Sequence, residues 1–351
     1  MRRKTRKVKV GDIYIGGDAP ISVQSMTTTD TTDVDATVKQ IHDLEDIGCE
    51  IIRVSAPTIE AANALKEIKA NINIPLVADI HFDYRIAVEA AKYADKLRIN
   101  PGNIGDEEKI KLVVNAAKEN GIPIRIGVNL GSLEKDLFEK YGYSAEAMVE
   151  SALNNLKILE NLDFYDTIVS LKASDVPRMV KAYRLFAEKT DYPLHLGVTE
   201  AGSKFPGTIK NSIGMGILLS EGIGDTIRVS LSDDPKEEVI AGKKILRSLG
   251  LRKDGVEVTS CPTCARTNID VIKLVEEIEN KTEKIKKPIH VAIMGCAVNG
   301  PGESKKADIG IVGGADNTNL LYKNGEIVSK VEKDKIIENL LKEINELSNS
   351  K

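Results

Sequence analysis

The sequence predicts an α/β protein in two parts: a (β/α)8 barrel of the TIM type, followed by a small α+β domain. Two observations carry this prediction. Short runs rich in β-branched residues alternate with amphipathic helical patterns eight times over about 230 residues, and the alternation stops near Gly250. Three of the 4 cysteines then follow close together, between Cys261 and Cys296. The predicted boundaries are residues 1–250 for the barrel and 256–351 for the second domain.

The strands and helices of the barrel are predicted from the spacing of hydrophobic residues, which alternates between a strand-like and a helix-like repeat. Residues 8–15 alternate around a Gly-Asp turn and predict a β-hairpin ahead of the barrel. The eight strands are predicted at Ile21–Met26, Ile51–Ala56, Leu76–His81, Lys96–Asn100, Ile124–Asn129, Thr167–Lys172, Leu194–Glu200 and Thr226–Ser232. The helices are predicted at Val34–Ile47, Ile59–Ala70, Tyr84–Tyr93, Glu107–Asn120, Ser144–Leu162, Val176–Lys189, Ile209–Gly222 and Pro235–Leu249, with an extra helical piece around Leu133–Tyr141.

An open, doubly wound sheet has a similar rhythm and is the alternative fold. It would need a glycine-rich phosphate loop after its first strand, where this chain has Ser25-Met-Thr-Thr-Thr29. The barrel is therefore favoured.

The second domain has a different pattern. A strand at 256–261 leads into a Cys-x-x-Cys turn, and a helix is predicted at Thr267–Ile278. Further strands are predicted at Ile289–Met294, Asp308–Val312, Leu320–Tyr322 and Glu326–Val331, and a final amphipathic helix near Lys335–Leu347. The last two strands are joined by Asn324-Gly325, a dipeptide typical of tight hairpin turns.

Composition limits the classes of partner. The formal net charge is only -4 although 29% of residues are charged, so no nucleic-acid or membrane partner is indicated. The basic start at residues 1–7 has no apolar stretch after it, and no run approaches the roughly 20 residues of a membrane helix. Few, clustered cysteines fit a reducing compartment. We therefore expect a cytoplasmic protein.

Polar residues gather at the carboxyl ends of the predicted strands, where such barrels carry their active sites. They are Arg53, Asp79, His81, Arg98, Asn100, Arg125, Asn129, Lys172, Glu200, Arg228 and Ser230. Residues two or four apart on one strand share a face, so these side chains are expected to meet in the barrel mouth. Five of them are cations and two are carboxylates, and unpaired buried charge is unfavourable. This balance predicts a polyanionic ligand such as a diphosphate. Alternatively, each arginine pairs with a carboxylate at the rim.

Three of these residues are the predicted catalytic groups. Glu200, a carboxylate at the end of the seventh strand, is the first candidate for acid–base chemistry, with Asp79 and His81 beside it. His81 could equally be a structural histidine. His195 begins the seventh strand and is expected at the end of the barrel away from the chemistry.

The cysteines predict a metal centre. Cys261-Pro-Thr-Cys264 brings two thiolates within reach of one centre, and Cys296 can supply a third. Glu303, in a Gly-Pro-Gly turn, is the best-placed fourth ligand, and three cysteines with one exchangeable ligand favour a catalytic iron–sulfur cluster. Structural zinc, with Glu303 or His290 as the fourth ligand, is the alternative. Cys49 stands apart and is expected to be a small buried hydrophobic residue.

These cysteine motifs resemble the iron–sulfur domain of the hydroxymethylbutenyl diphosphate synthases of the non-mevalonate isoprenoid pathway. The resemblance spans nearly the whole chain. It includes Gln24-Ser-Met-Thr27, Ala78-Asp-Ile-His-Phe82, Arg98-Ile-Asn-Pro-Gly-Asn103, Ile124-Arg-Ile-Gly-Val-Asn129, Leu196-Gly-Val-Thr-Glu-Ala-Gly202 and Asp225-Thr-Ile-Arg-Val-Ser-Leu-Ser232. The length matches the short bacterial form, and Ala297, where the family often has valine, is a mild departure.

The resemblance implies a reaction, a cofactor and partners. The reaction would be a reductive ring opening of methylerythritol cyclodiphosphate to hydroxymethylbutenyl diphosphate, with electrons from flavodoxin or ferredoxin. Cys261, Cys264, Cys296 and Glu303 would hold a [4Fe–4S] cluster. The arginines, Lys172, Asn129 and Ser230 would bind the diphosphate, and Glu200 would transfer a proton or stabilise positive charge. The resemblance also implies a homodimer in which the cluster domain of one subunit serves the barrel of the other.

Two other functions remain open from the sequence. A pterin- or corrinoid-type methyl-transfer barrel with structural zinc would be colourless and would need no reductant. A metal-ribbon nucleic-acid binder is disfavoured, because the chain has few stacking aromatics (5 Phe, 9 Tyr and 0 Trp) and a negative net charge.

Overall fold

The computed structural model of the chain describes residues 2–315 and 317–350. These form two compact units whose boundary falls between Leu251 and Arg252. In the described part of the chain, no helix combines the length and the apolar character needed to cross a membrane.

The first unit is a barrel of eight parallel strands preceded by an antiparallel hairpin. The hairpin consists of β1 (Val8–Val10) and β2 (Ile13–Ile15). The barrel strands are β3 (Ser22–Met26), β4 (Ile51–Ser55), β5 (Leu76–Asp79), β6 (Lys96–Ile99), β7 (Ile124–Asn129), β8 (Thr167–Lys172), β9 (His195–Leu196) and β10 (Thr226–Ile227). Each strand from β3 to β8 pairs with the next along the chain, a single bridge joins β8 to β9, and β10 pairs with both β9 and β3. The predicted fold class is confirmed.

The pairing register sets which side chains share a height inside the barrel. If the paired residues are followed from Gln24 around all eight strands, the circuit returns to the first barrel strand at position 16. This position is eight residues before Gln24. Side chains at the same height along the barrel axis therefore lie one residue beyond the paired position on each successive strand. Since alternate residues of a strand face outward, each interior layer is filled by side chains from every second strand.

Ten α-helices belong to the described part of this unit. They are α1 (Val34–Asp46), α2 (Ile59–Ala70), α3 (Tyr84–Ala90), α4 (Pro101–Ile104), α5 (Glu107–Glu119), α6 (Lys135–Tyr141), α7 (Ala145–Asn161), α8 (Val176–Lys189), α9 (Lys204–Ser220) and α10 (Pro235–Ser248). Short polar side chains cap several of them. Asp33, for example, accepts a hydrogen bond from the backbone N–H of Ala36.

Three sequence expectations for the barrel need correction. The short helix α4 was missed, because it is only one turn long. Helix α9 begins at Lys204, five residues before the predicted start, because Pro206 falls in the first turn, where proline is tolerated. The seventh and eighth strands are regular over only two residues each, so their predicted carboxyl-terminal halves are irregular backbone.

The hairpin closes the amino-terminal end of the barrel. Val8, Val10 and Ile15 are buried against inward-facing apolar side chains of β4, β5 and β8, namely Ile51, Val77 and Ile168. The polar interior is therefore reached from the opposite end, where the strands finish.

Over its described residues, the second unit consists of a five-stranded mixed sheet and three α-helices. The strands are β11 (Val256–Ser260), β12 (Ile289–Met294), β13 (Ile309–Val312), β14 (Asn319–Lys323) and β15 (Glu326–Val331), in that order. The first three are parallel and the rest antiparallel. The helices are α11 (Val271–Thr282), α12 (Gly300–Ser304) and α13 (Ile336–Asn349). Positive φ angles of 52° at Asn324 and 84° at Gly325 confirm the predicted hairpin turn.

Two expectations for this unit were wrong in detail. Helix α11 begins four residues later than predicted, because Asp270 caps it by accepting from the N–H of Lys273. The predicted Gly-Pro-Gly turn is a short helix, α12, and Glu303 lies within it. Proline near the start of this helix is compatible with helical geometry.

Candidate functional site

The barrel mouth contains a cavity of about 190 Å³ lined almost wholly by polar side chains. Its lining residues are Arg53, Asp79, His81, Arg98, Arg125, Asn129, Ser170, Lys172, Thr199, Arg228 and Ser230. Nine of the eleven predicted mouth residues are thus brought together, and Ser170 and Thr199 are additions. Glu200 and Asn100 are not among the lining residues.

The register sorts the interior into layers. Four layers follow one another from the hairpin towards the mouth. The inner layer contains Gln24, Val77, Arg125 and His195, and the arginine layer above it contains Arg53, Arg98, Ser170 and Arg228. The third layer contains Met26, Asp79, Gly127 and Gly197, and the fourth contains Ser55, Asn100, Lys172 and Ser230. The arginines therefore converge from different strands at nearly one height.

Asp79 holds two of these arginines. Its carboxylate lies 3.0 Å from Nη1 of Arg98 and 3.9 Å from Nε of Arg53. His81 also contacts it, with Nε2 3.3 Å from Oδ2. Burial alone would raise the pKa of Asp79, but Arg53, His81 and Arg98 together hold that pKa well below its usual range. Asp79 is therefore a permanent anion that fixes the cationic side chains.

Glu238 holds a third arginine and was missed by the sequence analysis. It belongs to helix α10, is 3% exposed, and pairs with Arg228 at 3.2 Å between Oε2 and Nε. It also accepts from the N–H of Leu231. A glutamate in a first helical turn is usually explained by the helix dipole, so the sequence carried no clear signal of this contact.

Arg125 and Lys172 differ from the other three cations. Among the described residues, no carboxylate lies within ion-pair distance of either side chain, and Arg125 donates only from Nη1 to the hydroxyl of Ser170, at 3.0 Å. Burial and then the neighbouring arginines lower the pKa of both groups strongly. The alternative, in which each arginine pairs with a carboxylate, thus holds among the described residues for Arg53, Arg98 and Arg228 but not for Arg125. Arg125 and Lys172 thus have no ion-pair partner in the described part of the chain.

Glycines make room for the cations. A Cβ at Gly127 would lie 2.6 Å from Nε of Arg98, and one at Gly197 would lie 2.8 Å from Nζ of Lys172 and 2.5 Å from the carbonyl oxygen of Arg228. Any larger side chain at these two positions would displace a residue that lines the cavity.

Glu200 lies outside the cavity lining. It is exposed and follows the irregular end of the seventh strand, with a φ of 52°, in the left-handed region that few non-glycine residues adopt. Such strain is frequent at functional sites. Asn100 is buried and caps α4, accepting from the N–H of Gly102 at 3.2 Å.

The cysteines of the second unit follow the carboxyl ends of adjacent parallel strands. Cys261 comes directly after β11, and Cys296 follows β12 by two residues. The backbone N–H of Gly295 donates to Sγ of Cys261 at 3.1 Å. A backbone N–H of Arg266 and its guanidinium lower the pKa of Cys264, which is exposed. These features suit thiolate ligands.

The four predicted ligands are not gathered tightly. In the described residues, no three His, Cys, Asp or Glu side chains are close enough to hold a metal ion. Glu303 is instead paired with Lys306, at 3.2 Å. Three thiols in the loops after β11 and β12, and the carboxylate of Glu303 on helix α12, match the donor chemistry of an iron–sulfur cluster.

His290 does not fit a zinc site with these cysteines. It lies near the start of β12, about 13 Å of extended chain from the strand's end. Its Nε2 is 2.8 Å from the hydroxyl of Thr259. Cys49, as expected, is buried, and burial raises the pKa of its thiol to about 12.

Family models and relatives of known name match this chain over nearly its whole length. Residues 5–243 match the GcpE TIM-barrel domain and residues 257–346 match the GcpE protein C-terminal domain. A 4-hydroxy-3-methylbut-2-en-1-yl diphosphate synthase (flavodoxin) of Caldanaerobacter subterraneus subsp. tengcongensis is 61% identical over 349 residues, covering 99% of this chain and 98% of that protein. The protein of the same name from Clostridium perfringens is 57% identical, covering 97% of this chain and 98% of its own length.

Solved structures resemble this chain over 70–80% of its length, at low sequence identity. Dihydropteroate synthase from Stenotrophomonas maltophilia aligns with a TM-score of 0.51 and 16% identity, over 70% of this chain and 98% of that one. N-acetylneuraminic acid synthetase from Leptospira borgpetersenii serovar Hardjo-bovis aligns with a TM-score of 0.51 and 14% identity, over 80% and 98%. These similarities concern the fold.

Proposed function

This chain belongs to the GcpE family of 4-hydroxy-3-methylbut-2-en-1-yl diphosphate synthases, and we propose that it binds the family's cyclic diphosphate substrate in the barrel mouth. It is an oxidoreductase of the non-mevalonate isoprenoid pathway. The reaction is the reductive ring opening of 2-C-methyl-D-erythritol 2,4-cyclodiphosphate to 4-hydroxy-3-methylbut-2-enyl diphosphate, with two electrons taken up and water lost.

One observation supports this substrate site above all others. Five cations line a single cavity of about 190 Å³ whose only lining carboxylate, among the described residues, is Asp79. A diphosphate would supply the missing negative charge, and the planar guanidinium groups suit phosphoryl oxygens. Asn129 and Ser230 would add neutral contacts at the rim.

Glu200 is proposed to act on the substrate's carbon skeleton rather than on its phosphates. Its carboxylate is exposed beside a cation-lined cavity, and its strained backbone holds it at the strand end. We propose that it transfers a proton or stabilises developing positive charge, while Asp79 and His81 orient the arginines and the substrate. A second carboxylate among the phosphate-binding cations, in addition to Asp79, would instead weaken anion binding.

The proposed cofactor is a [4Fe–4S] cluster held by Cys261, Cys264 and Cys296, with Glu303 as an exchangeable fourth ligand. When bound, the cluster would deliver the two electrons. The N–H of Gly295 would stabilise the Cys261 thiolate, and Arg266 would stabilise that of Cys264. Release of Glu303 from Lys306 would free its carboxylate for the cluster.

The proposed electron donor is a flavodoxin, as the names of the relatives state, with ferredoxin as the second candidate. Such a donor, the low cysteine content and the absence of a membrane-spanning helix among the described residues fit a cytoplasmic enzyme.

A homodimer with a composite site is proposed from the path of the chain and from one helix face. Helix α10 runs antiparallel to the strands, so the chain leaves the barrel at the end opposite the cavity. Helix α9 carries a bulky exposed row, defined as Phe205, Ile209, Ile213 and Ile217, beside a row of small residues, Thr208, Ser212 and Gly216. Both rows repeat every four residues. A ridge beside a groove on one helix is self-complementary about a two-fold axis, which favours a second copy as the occupant.

The first experiment is anaerobic purification followed by an absorption spectrum and analysis of iron, sulfide and zinc. We expect a brown protein with about four irons per chain. The same sample should then convert the cyclic diphosphate when supplied with reduced flavodoxin. A colourless protein with one zinc per chain would contradict the cluster and favour the methyl-transfer alternative.

A further inference from the structure

The inner layer of the barrel contains polar atoms without partners. Nε and Nη2 of Arg125, both ring nitrogens of His195 and both amide atoms of Gln24 are buried, and none has a hydrogen-bond partner among the described residues. All three side chains are 1% exposed or less. Buried polar groups are normally paired, so this concentration of unpaired atoms calls for an explanation.

The three side chains face one another across the barrel axis. The register puts them in one layer, together with Val77. Their immediate neighbours along the strands, such as Val23, Ile124 and Leu194, are buried in the outer core between strands and helices. Alternation along a strand therefore turns Gln24, Arg125 and His195 inward.

Arg125 is held in a different way from the other arginines of the cavity. Arg53 and Arg98 are fixed by Asp79, and Arg228 is fixed by Glu238. Each of these carboxylates cancels part of the positive charge it positions. The groups around Arg125 in its own layer are an amide, an imidazole and an apolar side chain, and the hydroxyl of Ser170 lies above it.

We propose that His195 and Gln24 are positioning residues for Arg125: neutral acceptors that orient its guanidinium through a bridging water, without cancelling its charge. Arg125 is then the deepest and most strongly attractive contact for the substrate's phosphoryl oxygens. This inference rests on the proposed function, since it assigns roles beneath the same diphosphate site.

The charge state of His195 supports this role. Burial, followed by the nearby cations Arg125, Lys172, Lys96 and Arg53, lowers the pKa of His195 far below that of an ordinary histidine. A neutral imidazole has one nitrogen free to accept a hydrogen bond, whereas a protonated one has none. Arginine, which stays protonated, supplies the donors. The nearby cations thus keep the imidazole of His195 neutral, and in this form it can accept a hydrogen bond and orient Arg125.

The test uses the intact, anaerobically purified enzyme with two readouts, the steady-state constants for the cyclic diphosphate and the Kd for inorganic pyrophosphate. His195→Phe removes the acceptor while keeping a flat ring. We expect KM and the pyrophosphate Kd to rise about tenfold while kcat changes less than about twofold, because an anion contact present throughout the reaction is weakened. Either His195→Asn or His195→Gln, which put an acceptor near one ring nitrogen, should recover most of the affinity. Gln24→Leu should act in the same direction.

Val77→Ala is the matched control, since Val77 lies in the same layer and is equally buried. It should lower the melting temperature and leave KM and the pyrophosphate Kd unchanged. An unchanged Kd in His195→Phe, a rise of equal size in Val77→Ala, or no recovery in either polar variant would overturn the inference. Failure of the wild-type enzyme to bind pyrophosphate would instead count against the proposed function.

Discussion

Arg228 and Glu238 form a buried ion pair across the barrel wall, with Nε and Oε2 3.2 Å apart. Arg228 directly follows the eighth barrel strand, β10, and Glu238 belongs to helix α10, which comes next. The pair thereby ties a substrate-binding cation to the outer ring of helices. The sequence predicts the position of Arg228 at the barrel mouth, but it gives no signal for the carboxylate that orients it.

Glu238→Gln should destabilise the ligand-free enzyme by about 3 kcal/mol, because it leaves a buried guanidinium without its counter-charge. Pyrophosphate should restore more of the lost stability than it adds to the wild type, since the anion replaces the missing charge. Urea denaturation with and without pyrophosphate measures both effects. The control is Glu221→Gln in the exposed Arg184–Glu221 pair, where we expect a change below about 1 kcal/mol. Equal losses in the two variants would refute the prediction.

Pyrophosphate binding should take up protons through Lys172. Burial, Arg125 and Arg228 lower the pKa of Lys172 strongly in the empty cavity, so part of the population is neutral near its depressed pKa and above it. A bound polyanion favours the ammonium form and raises that pKa, so protons are absorbed and affinity falls as the pH rises. Calorimetry in buffers of different ionisation enthalpy measures the uptake. Lys172→Gln, which cannot titrate, should show a smaller uptake; identical values would exclude Lys172 as the source.

Gly197→Ala should impair substrate binding severely. The added Cβ would lie 2.5 Å from the carbonyl oxygen of Arg228 and 2.8 Å from Nζ of Lys172, so backbone as well as side chain must shift. We expect KM to rise at least tenfold, a loss of about 1.4 kcal/mol or more in binding. Gly131→Ala is the control, because its Cβ would have no atom within 4 Å. A normal KM in Gly197→Ala would show that the barrel relaxes around the methyl group.

Glu303→Ala and Glu200→Gln should separate cluster binding from catalysis. Glu303→Ala removes the proposed fourth ligand, so iron content and visible absorption should fall or become unstable in air. Glu200→Gln should retain both and lose turnover, by at least about a hundredfold if the carboxylate moves a proton. Iron analysis and single-turnover assays measure the two effects. Similar loss of iron in both variants would contradict the assigned roles.

Ile213→Asp, in the middle of the bulky row on α9, should dissociate the proposed dimer. A carboxylate there would be buried without a partner at the interface. Light scattering should show a monomer, with lower activity at low protein concentration. Leu112→Asp is the matched control, since Leu112 is also exposed but lies apart from that row, on α5. A wild-type monomer, or a dimer unaffected by Ile213→Asp, would rule out this face.

The barrel could be predicted because its regularity is local. Strand and helix periods are visible in short windows, and the positions of Asp79, Arg98, Lys172 and Arg228 followed from the rule that polar residues end barrel strands. The seventh and eighth strands were predicted too long, since their polar ends have strand-like composition but do not form a regular ladder of backbone hydrogen bonds.

The depth of residues inside the barrel could not be predicted. Arg125 was expected at a strand end and His195 at the end remote from the chemistry, yet the two share one layer beneath the arginines. Their common height depends on the eight-residue shift of the closed sheet, which is a property of all strands together. Glu238 was missed for a related reason, because it reaches the interior from a helix.

Because the seventh and eighth strands are short, the barrel wall has fewer paired backbone positions there than between other strands. Val169 and Leu194 form a single bridge, and β9 and β10 share only two paired positions. Backbone amides along this seam should exchange with solvent sooner than those of β7 and β8, which pair over six positions. Helix α9, with its uncovered bulky row, lies directly after β9. Dimer formation through helix α9 would therefore stabilise the part of the barrel wall that unfolds locally first. Dilution, which dissociates the dimer, should speed amide exchange in that part of the wall.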